Sequence, residues 1–220
     1  MKAYILDLFD QRMTSNKYKY KPFQNTEKIK FSFFLPLLII FLSTNLLIFD
    51  QSFYKQERTN YELYNQEIDN LLEYFTGGEL DKENYSEEEI LHLADVKKLI
   101  WISLALLCLG AILMGISFLK DTKEHCQKEC VKGGIYTVIL IILLSFTFFN
   151  FSSAFTIFHK ILFTNNYWLL PAESLLIQMF PERFFIESTK QIILYSLIFS
   201  ILCIGIGCLP RSKKDEHKRT

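Results

Sequence analysis

The sequence predicts an all-α polytopic membrane protein with four transmembrane helices, a small extracytoplasmic helical domain and both termini in the cytoplasm. Three observations lead there. Four apolar stretches, residues 31–49, 99–119, 135–154 and 191–209, match the roughly 20 helical residues that cross a hydrocarbon core of about 30 Å. None of them carries an acidic or basic side chain in its interior, a property a buried helix of a water-soluble fold rarely keeps four times over. The charges between them are sharply segregated by sign.

The N-terminal tail, residues 1–30, holds Lys2, Arg12, Lys17, Lys19, Lys21, Lys28 and Lys30. The short segment 120–134 holds Lys120, Lys123, Lys128 and Lys132, and the C-terminal tail 210–220 holds Arg211, Lys213, Lys214, Lys218 and Arg219. Basic flanks stay on the cytoplasmic side, so both tails and the middle loop are expected inside. Residues 50–95 carry thirteen acidic side chains against Lys55, Arg58 and Lys82, which suits an exported segment. The outer segments are therefore 50–98 and 155–190.

The first apolar run reads as a retained helix rather than a signal peptide, because some 30 mostly polar residues precede it and no small-residue cleavage site follows. Pro36 is expected to kink or loosen that helix. Beyond it, Tyr54, Tyr61, Tyr64, Ile68, Leu71 and Phe75 recur at helical spacing, and Thr76-Gly77-Gly78 ends the pattern. This stripe fits either the packed lid of a small outer domain or the wall of a lipid-facing groove. Ser86 with Glu89 forms a capping box, so a helix of roughly 50 Å should run from Glu87 to Leu119 and project above the bilayer. After the third span, Pro171 to Phe180 reads as a short interfacial helix opened by one proline and closed by Pro181.

Composition excludes several function classes. Lys+Arg and Asp+Glu are 24 each, leaving no overall basic field for nucleic acid. Five cysteines are too few for a disulfide framework, and Cys126 and Cys130, spaced C-x3-C on the inner loop, read as ordinary thiols. Glycine-rich phosphate loops, an HExxH motif and a GxSxG elbow around Ser152 or Ser153 are all missing, so neither a cofactor nor a metal site is expected. No ionisable residue sits mid-span, which argues against transport.

The histidines divide into two kinds. His125 and His217 fall in charged inner segments and read as solvated. His92 is about 10 Å above the start of its apolar run and His159 is at a similar level above the third span, at the exits of neighbouring helices. Imidazole both takes and gives a proton near neutrality, so these two are a candidate acid/base pair. Asp95, one turn from His92, could orient it.

The run Ile90-Leu91-His92-Leu93-Ala94-Asp95-Val96-Lys97, with Phe158-His159-Lys160-Ile161-Leu162-Phe163, then Trp168, Leu176-Ile177 and Phe180-Pro181-Glu182-Arg183-Phe184-Phe185, resembles the bacterial lipoprotein intramolecular transacylases, four-helix membrane proteins. The resemblance implies transfer of the sn-2 acyl chain of a diacylated lipoprotein to the α-amino group of its N-terminal cysteine, giving a lyso-form lipoprotein. It implies His92 and His159 as the catalytic pair, no cofactor, and a diacylated lipoprotein and membrane lipid as partners. Asp95, Lys97, Trp168 and Arg183 are then the candidate supporting or substrate-binding residues. The alternative of another class is a non-enzymatic membrane protein, a partner-binding protein or small transporter subunit, for which the tyrosine stripe would matter more than the histidines.

Overall fold

A computed structural model describes residues 28–56 and 62–210, and every regular element among them is helical. In order these are α1 (Leu35–Ile48), α2 (Gln51–Gln56), α3 (Glu62–Thr76), α4 (Glu87–Lys120), α5 (Lys123–Ser145), α6 (Phe151–Leu162), α7 (Leu175–Met179) and α8 (Glu182–Gly207), with 3-10 turns at Phe31–Phe33 and Phe146–Asn150. The bundle of α1, α4, α5 and α8 carries at one end a cap built from α3, the first turns of α4, and α7.

Among the described residues three helical runs are long and apolar enough to cross a membrane: Glu87–Lys120, Lys123–Leu162 and Glu182–Gly207. The first apolar segment departs from the expected equal fourth span. Its α-helix has 14 residues, about 21 Å at 1.5 Å per residue, because a separate 3-10 turn takes up Phe31–Phe33. Pro36 does not kink it. The proline occupies the first turn, where no intrahelical donor is needed.

Small and hydroxylated residues set how closely the helices approach, as expected where lipid supplies no hydrophobic drive between them. The most extensive helix contact joins α5 to α8. There a methyl group on Gly134 would stand 2.6 Å from Ile204 Cγ1 and 3.0 Å from the Ser200 carbonyl oxygen, and Ser200 Oγ donates to the Gly134 carbonyl at 2.9 Å. Ser196 Oγ donates to Ser43 Oγ on α1 at 2.9 Å. Asn45 on α1 in turn donates to Ser103 Oγ on α4 at 2.8 Å.

At the end of the bundle away from the cap, the segment expected as a loop over 120–134 is mostly helix. Thr122 caps α5, so only Asp121 and Thr122 separate α5 from α4. Cys126 and Cys130 accordingly are free thiols buried in the first turns of α5, not loop thiols. His125 is likewise not a solvated imidazole: its Nε2 lies 3.0 Å from the Ile29 carbonyl oxygen, and within 3.8 Å of Asp121. Beside it, Glu129 is 2% exposed and accepts from both the backbone N and the Oγ of Ser32 at 3.2 and 2.6 Å. The chain entering α1 is thereby fastened to α5. His217 and Tyr61 lie outside the described residues.

The cap has its own core of Leu71, Leu80, Tyr85, Leu93 and Leu176. Of the tyrosine-led stripe, Leu71 belongs to it, Phe75 packs half-buried against it, and Ile68 is buried as well, which fits the packed-lid reading. The stripe is split between α2 and α3. Gly77 ends α3 at φ 119°, a left-handed conformation that suits glycine.

The capping box at Ser86 and Glu89 is present in both directions. Glu89 does more than cap: its second oxygen accepts from the Leu176 backbone N at 2.8 Å. That bond helps explain why the helix expected over Pro171 to Phe180 contracts to Leu175–Met179. Its first turn starts at Ser174, where α4 supplies the acceptor for an orphan donor, while Pro171 stays in the preceding turn and accepts from Ser174 N at 3.0 Å.

Candidate active site

The third apolar segment is broken, and the break aims His159. Ser145 and Thr147 turn their hydroxyls back onto the carbonyls of Ile141 and Leu144 at 2.9 and 2.7 Å, giving local bonds that compete with regular helix. The backbone tightens to a 3-10 turn over Phe146–Asn150. Asn150 then caps a new helix, its Oδ1 accepting from Ser153 N at 3.1 Å. On that helix, α6, Phe155 and His159 share one face, and Phe163 follows at the same four-residue spacing just past the helix end.

His159 is 7% exposed and sits among aromatic rings. The centroid of Phe155 is 4.1 Å away, Trp168 5.0 Å, Phe158 5.5 Å and Phe163 5.5 Å. Its Nδ1 stands 2.8 Å from the Phe155 carbonyl oxygen. A carbonyl can only accept, so Nδ1 carries the proton and Nε2 keeps the lone pair.

His92 comes from the second turn of α4. Its ring centroid lies 6.0 Å from that of His159, and Phe163 meets it edge-on at 5.1 Å. His92 Nδ1 is buried without a hydrogen-bond partner among the described residues, an uncommon condition for a buried polar atom. The two imidazoles that topology placed at one level are thus neighbours across a single phenylalanine.

This apolar box disfavours a charged ring. Burial pushes His92 down from 6.5 to about 4, the neighbouring His159 lowers it further within that figure, and Asp95 opposes the shift. Burial lowers His159 as well, with the Phe155 hydrogen bond opposing. Both histidines lie above the apolar spans read from the sequence, and both are neutral at pH 7.

The other candidates are placed differently from one another. Asp95 does not hold His92; its Oδ2 accepts from Asn165 Nδ2 at 2.7 Å. Lys97 donates to the Gly78 carbonyl at 3.2 Å and stands 3.9 Å over the Tyr74 ring, so its ammonium fastens the end of α3 to α4. Trp168 belongs to the site through its contact with His159. Arg183 is exposed in the first turn of α8. Ser152 and Ser153 are exposed near the start of α6. Among the described residues no three metal-ligating side chains come together.

Phe155, Phe163 and Asn165 were not recognised as site residues in the sequence. The four-residue spacing of Phe155, His159 and Phe163 is a legible signal for the first two. Nothing local distinguishes Asn165.

Comparison with known proteins bears on this arrangement. The family described as lipoprotein intramolecular transacylase Lit matches residues 29–185, a stretch that contains both histidines. Among solved structures, the membrane-integral lipoprotein intramolecular transacylase Lit from Bacillus cereus is 25% identical with a TM-score of 0.73, over 81% of this chain and 91% of that one. A histidine-to-arginine variant of the same protein, 24% identical, has a TM-score of 0.69 over 87% of this chain and 92% of that one. An uncharacterized protein from Aquifex aeolicus (strain VF5) is 26% identical over 132 residues, which is 59% of each chain. The chain thus spans less than two thirds of the length of that curated relative.

Proposed function

Because the chain belongs to the lipoprotein intramolecular transacylase family, a family of membrane enzymes, we propose that it moves the sn-2 acyl chain of a diacylglyceryl lipoprotein to the α-amino group of the N-terminal cysteine, with His92 and His159 as the acid/base pair. The observation that carries this reading is the pairing of two neutral imidazoles 6.0 Å apart, one presenting a free Nε2 lone pair and the other a buried Nδ1 without a partner.

Roles follow from the tautomers. An attacking amine must lose a proton as its nitrogen bonds to the ester carbonyl carbon. His159 Nε2 is the acceptor, since its Nδ1 is already committed to the Phe155 carbonyl. The tetrahedral oxyanion that forms takes a hydrogen bond from neutral His92. When the bond from the acyl carbon to the glyceryl oxygen breaks, the imidazolium of His159 returns its proton to that oxygen. Burial makes this step favourable, because a cation among Phe155, Phe163 and Trp168 is an unusually strong acid.

The balance closes within the substrate: one amide bond forms, one ester bond breaks, and one proton passes from nitrogen to oxygen. Donor and acceptor share a molecule, so holding them in register supplies much of the acceleration without an acyl-enzyme. The segregation of basic residues supports an active site on the extracytoplasmic face. There Trp168 would line the acyl site, and Arg183, exposed at the start of α8, would anchor to lipid phosphate.

The test is mass spectrometry of the N-terminal lipopeptide of a reporter lipoprotein, in a host that makes only diacyl forms, co-expressing this protein or its His92→Ala and His159→Ala variants. An N-acyl, monoacylglyceryl peptide with the wild type, lost in both variants, is the expected result. Unchanged diacyl peptide beside well-expressed, membrane-inserted wild type would refute the reading and favour a non-enzymatic, partner-binding role.

A further inference from the structure

We propose that Asn165 is a positioning residue for the histidine pair, coupling the element that carries His92 to the ring that packs on His159. For its activity readout the inference rests on the transacylase reading, while its spectroscopic readout rests on geometry alone.

Asn165 follows the end of α6 in an otherwise irregular connection. Its Nδ2 donates to Asp95 Oδ2 at 2.7 Å, and its Oδ1 accepts from Tyr167 N at 3.1 Å. Its backbone carbonyl accepts from Trp168 Nε1, also at 3.1 Å. Asp95 lies one turn beyond His92 on α4, and the Trp168 ring centroid is 5.0 Å from that of His159. Two hydrogen bonds through one residue therefore connect the walls of the two imidazoles.

A local turn explains only part of this. The bond to Tyr167 N is all that an Asx turn requires, whereas the bond to Asp95 spans 70 residues of chain and joins an amide to a carboxylate, the stronger class of hydrogen bond. The segment holding Trp168 has little other regular structure, so the Asp95 tether decides where the indole stands. Rings that face each other at 6.0 Å work on one substrate only while both walls stay in register.

The test exchanges donor and acceptor. Asn165→Ala removes the tether, and Asn165→Asp sets two carboxylates against each other where an amide N–H now bridges them. The reciprocal double variant Asp95→Asn with Asn165→Asp restores the hydrogen bond in the opposite direction and still leaves an acceptor for Tyr167 N. We expect kcat for N-acyl lipopeptide formation to fall about 10- to 100-fold in each single variant, the scale of an ångström-level misplacement, with KM little changed, and to recover in the double variant.

With only two tryptophans in the chain, a Trp101→Phe background leaves Trp168 as the sole emitter. Its emission should shift to the red in the single variants and return in the double. Wild-type kcat and emission in Asn165→Asp, or an exchange that rescues neither readout, would overturn the inference. If the unmodified chain makes no N-acyl product, the transacylase reading falls, and the emission series still decides whether Asn165 positions Trp168.

Discussion

Phe163 offers the sharpest test of why the two histidines are neutral. It is buried, and its ring lies 5.1 Å from His92 and 5.5 Å from His159, so it excludes water from both at once. Replacing it with alanine opens the box, weakens the desolvation that dominates both shifts, and lets each pKa climb back toward 6.5. At pH 5.5 an imidazole with a pKa of about 4 is almost wholly neutral, whereas one returned to its ordinary value is only about one tenth neutral. For Phe163→Ala the rate at pH 5.5 relative to pH 8 should therefore fall by up to about tenfold more than in the wild type, because the proton acceptor is His159, whose pKa burial also lowers.

The assay is the initial rate of N-acyl product formation from a synthetic diacylglyceryl-cysteine lipopeptide between pH 5 and 9. Taking each variant as a ratio of its own rates cancels differences in folded enzyme, which matter because truncating a buried phenylalanine costs about 3–5 kcal/mol. The substrate's α-amino group, with a pKa of about 8, imposes one unit of slope throughout the acidic range. In the wild type, further slope should appear only below pH 6.5. A wild-type break at or above 6.5, or the same break in Phe163→Ala, would refute the claim that the aromatic box holds these rings neutral.

Three further outcomes follow from the same geometry. Because His92 is held below its unfolded value, its contribution to stability is complete above pH 6.5 and is lost as the pH falls toward about 4. It is worth about 2–3 kcal/mol after allowing for its exposed edge, so thermal unfolding should drop between pH 7 and pH 5 in the wild type and less in His92→Gln. Glu89→Ala removes the capping box and the acceptor for Leu176 N, and should lower stability by about 2–4 kcal/mol, while Glu89→Gln keeps one of the two acceptor oxygens and recovers part of it; thermal melting in detergent distinguishes them. Gly134→Ala places a methyl group 2.6 Å from Ile204 Cγ1 and should loosen α5 from α8 by about 1–3 kcal/mol, read as a lower melting temperature.

Much of this arrangement is legible in the sequence. The capping box announced a long helix starting at Glu87, and the helical rise counted above the apolar spans put His92 and His159 at a similar level. What stayed hidden has a common physical cause: contacts between residues distant in sequence leave no periodic trace. Asp95 looked like a partner for His92 because helical spacing allows it, but Asn165, 70 residues away, competes for the same carboxylate and wins it. His125 looked solvated because its neighbours are charged. Docking of Ile29 turns it inward, as Ser32 does the neighbouring Glu129. The first apolar run was long enough on composition alone, yet its opening residues pack as a separate turn, with Phe31 at 0% exposure.

The break at Phe146–Asn150 ties these observations to function. An uninterrupted helix from Lys123 onward would satisfy its own backbone and cross the bilayer with less strain, so the interruption must be offset elsewhere. Local offsets are visible in the hydroxyls of Ser145 and Thr147 and in the cap from Asn150. What the interruption gains is independence of orientation. α5 keeps its small-residue face against α8, where Gly134 and Ser200 fix the rotation, and α6 turns the Phe155, His159, Phe163 face toward α4. A continuous helix could not set both rotations freely, since residues 134 and 159 would then be locked at 100° per residue. Restoring helical bonds with Asn150→Ala should therefore leave the α5–α8 contact intact while rotating His159 away from His92, lowering the acyl-transfer rate without a matching loss of melting temperature. A parallel fall of both, or of neither, would show that the break serves packing rather than the site.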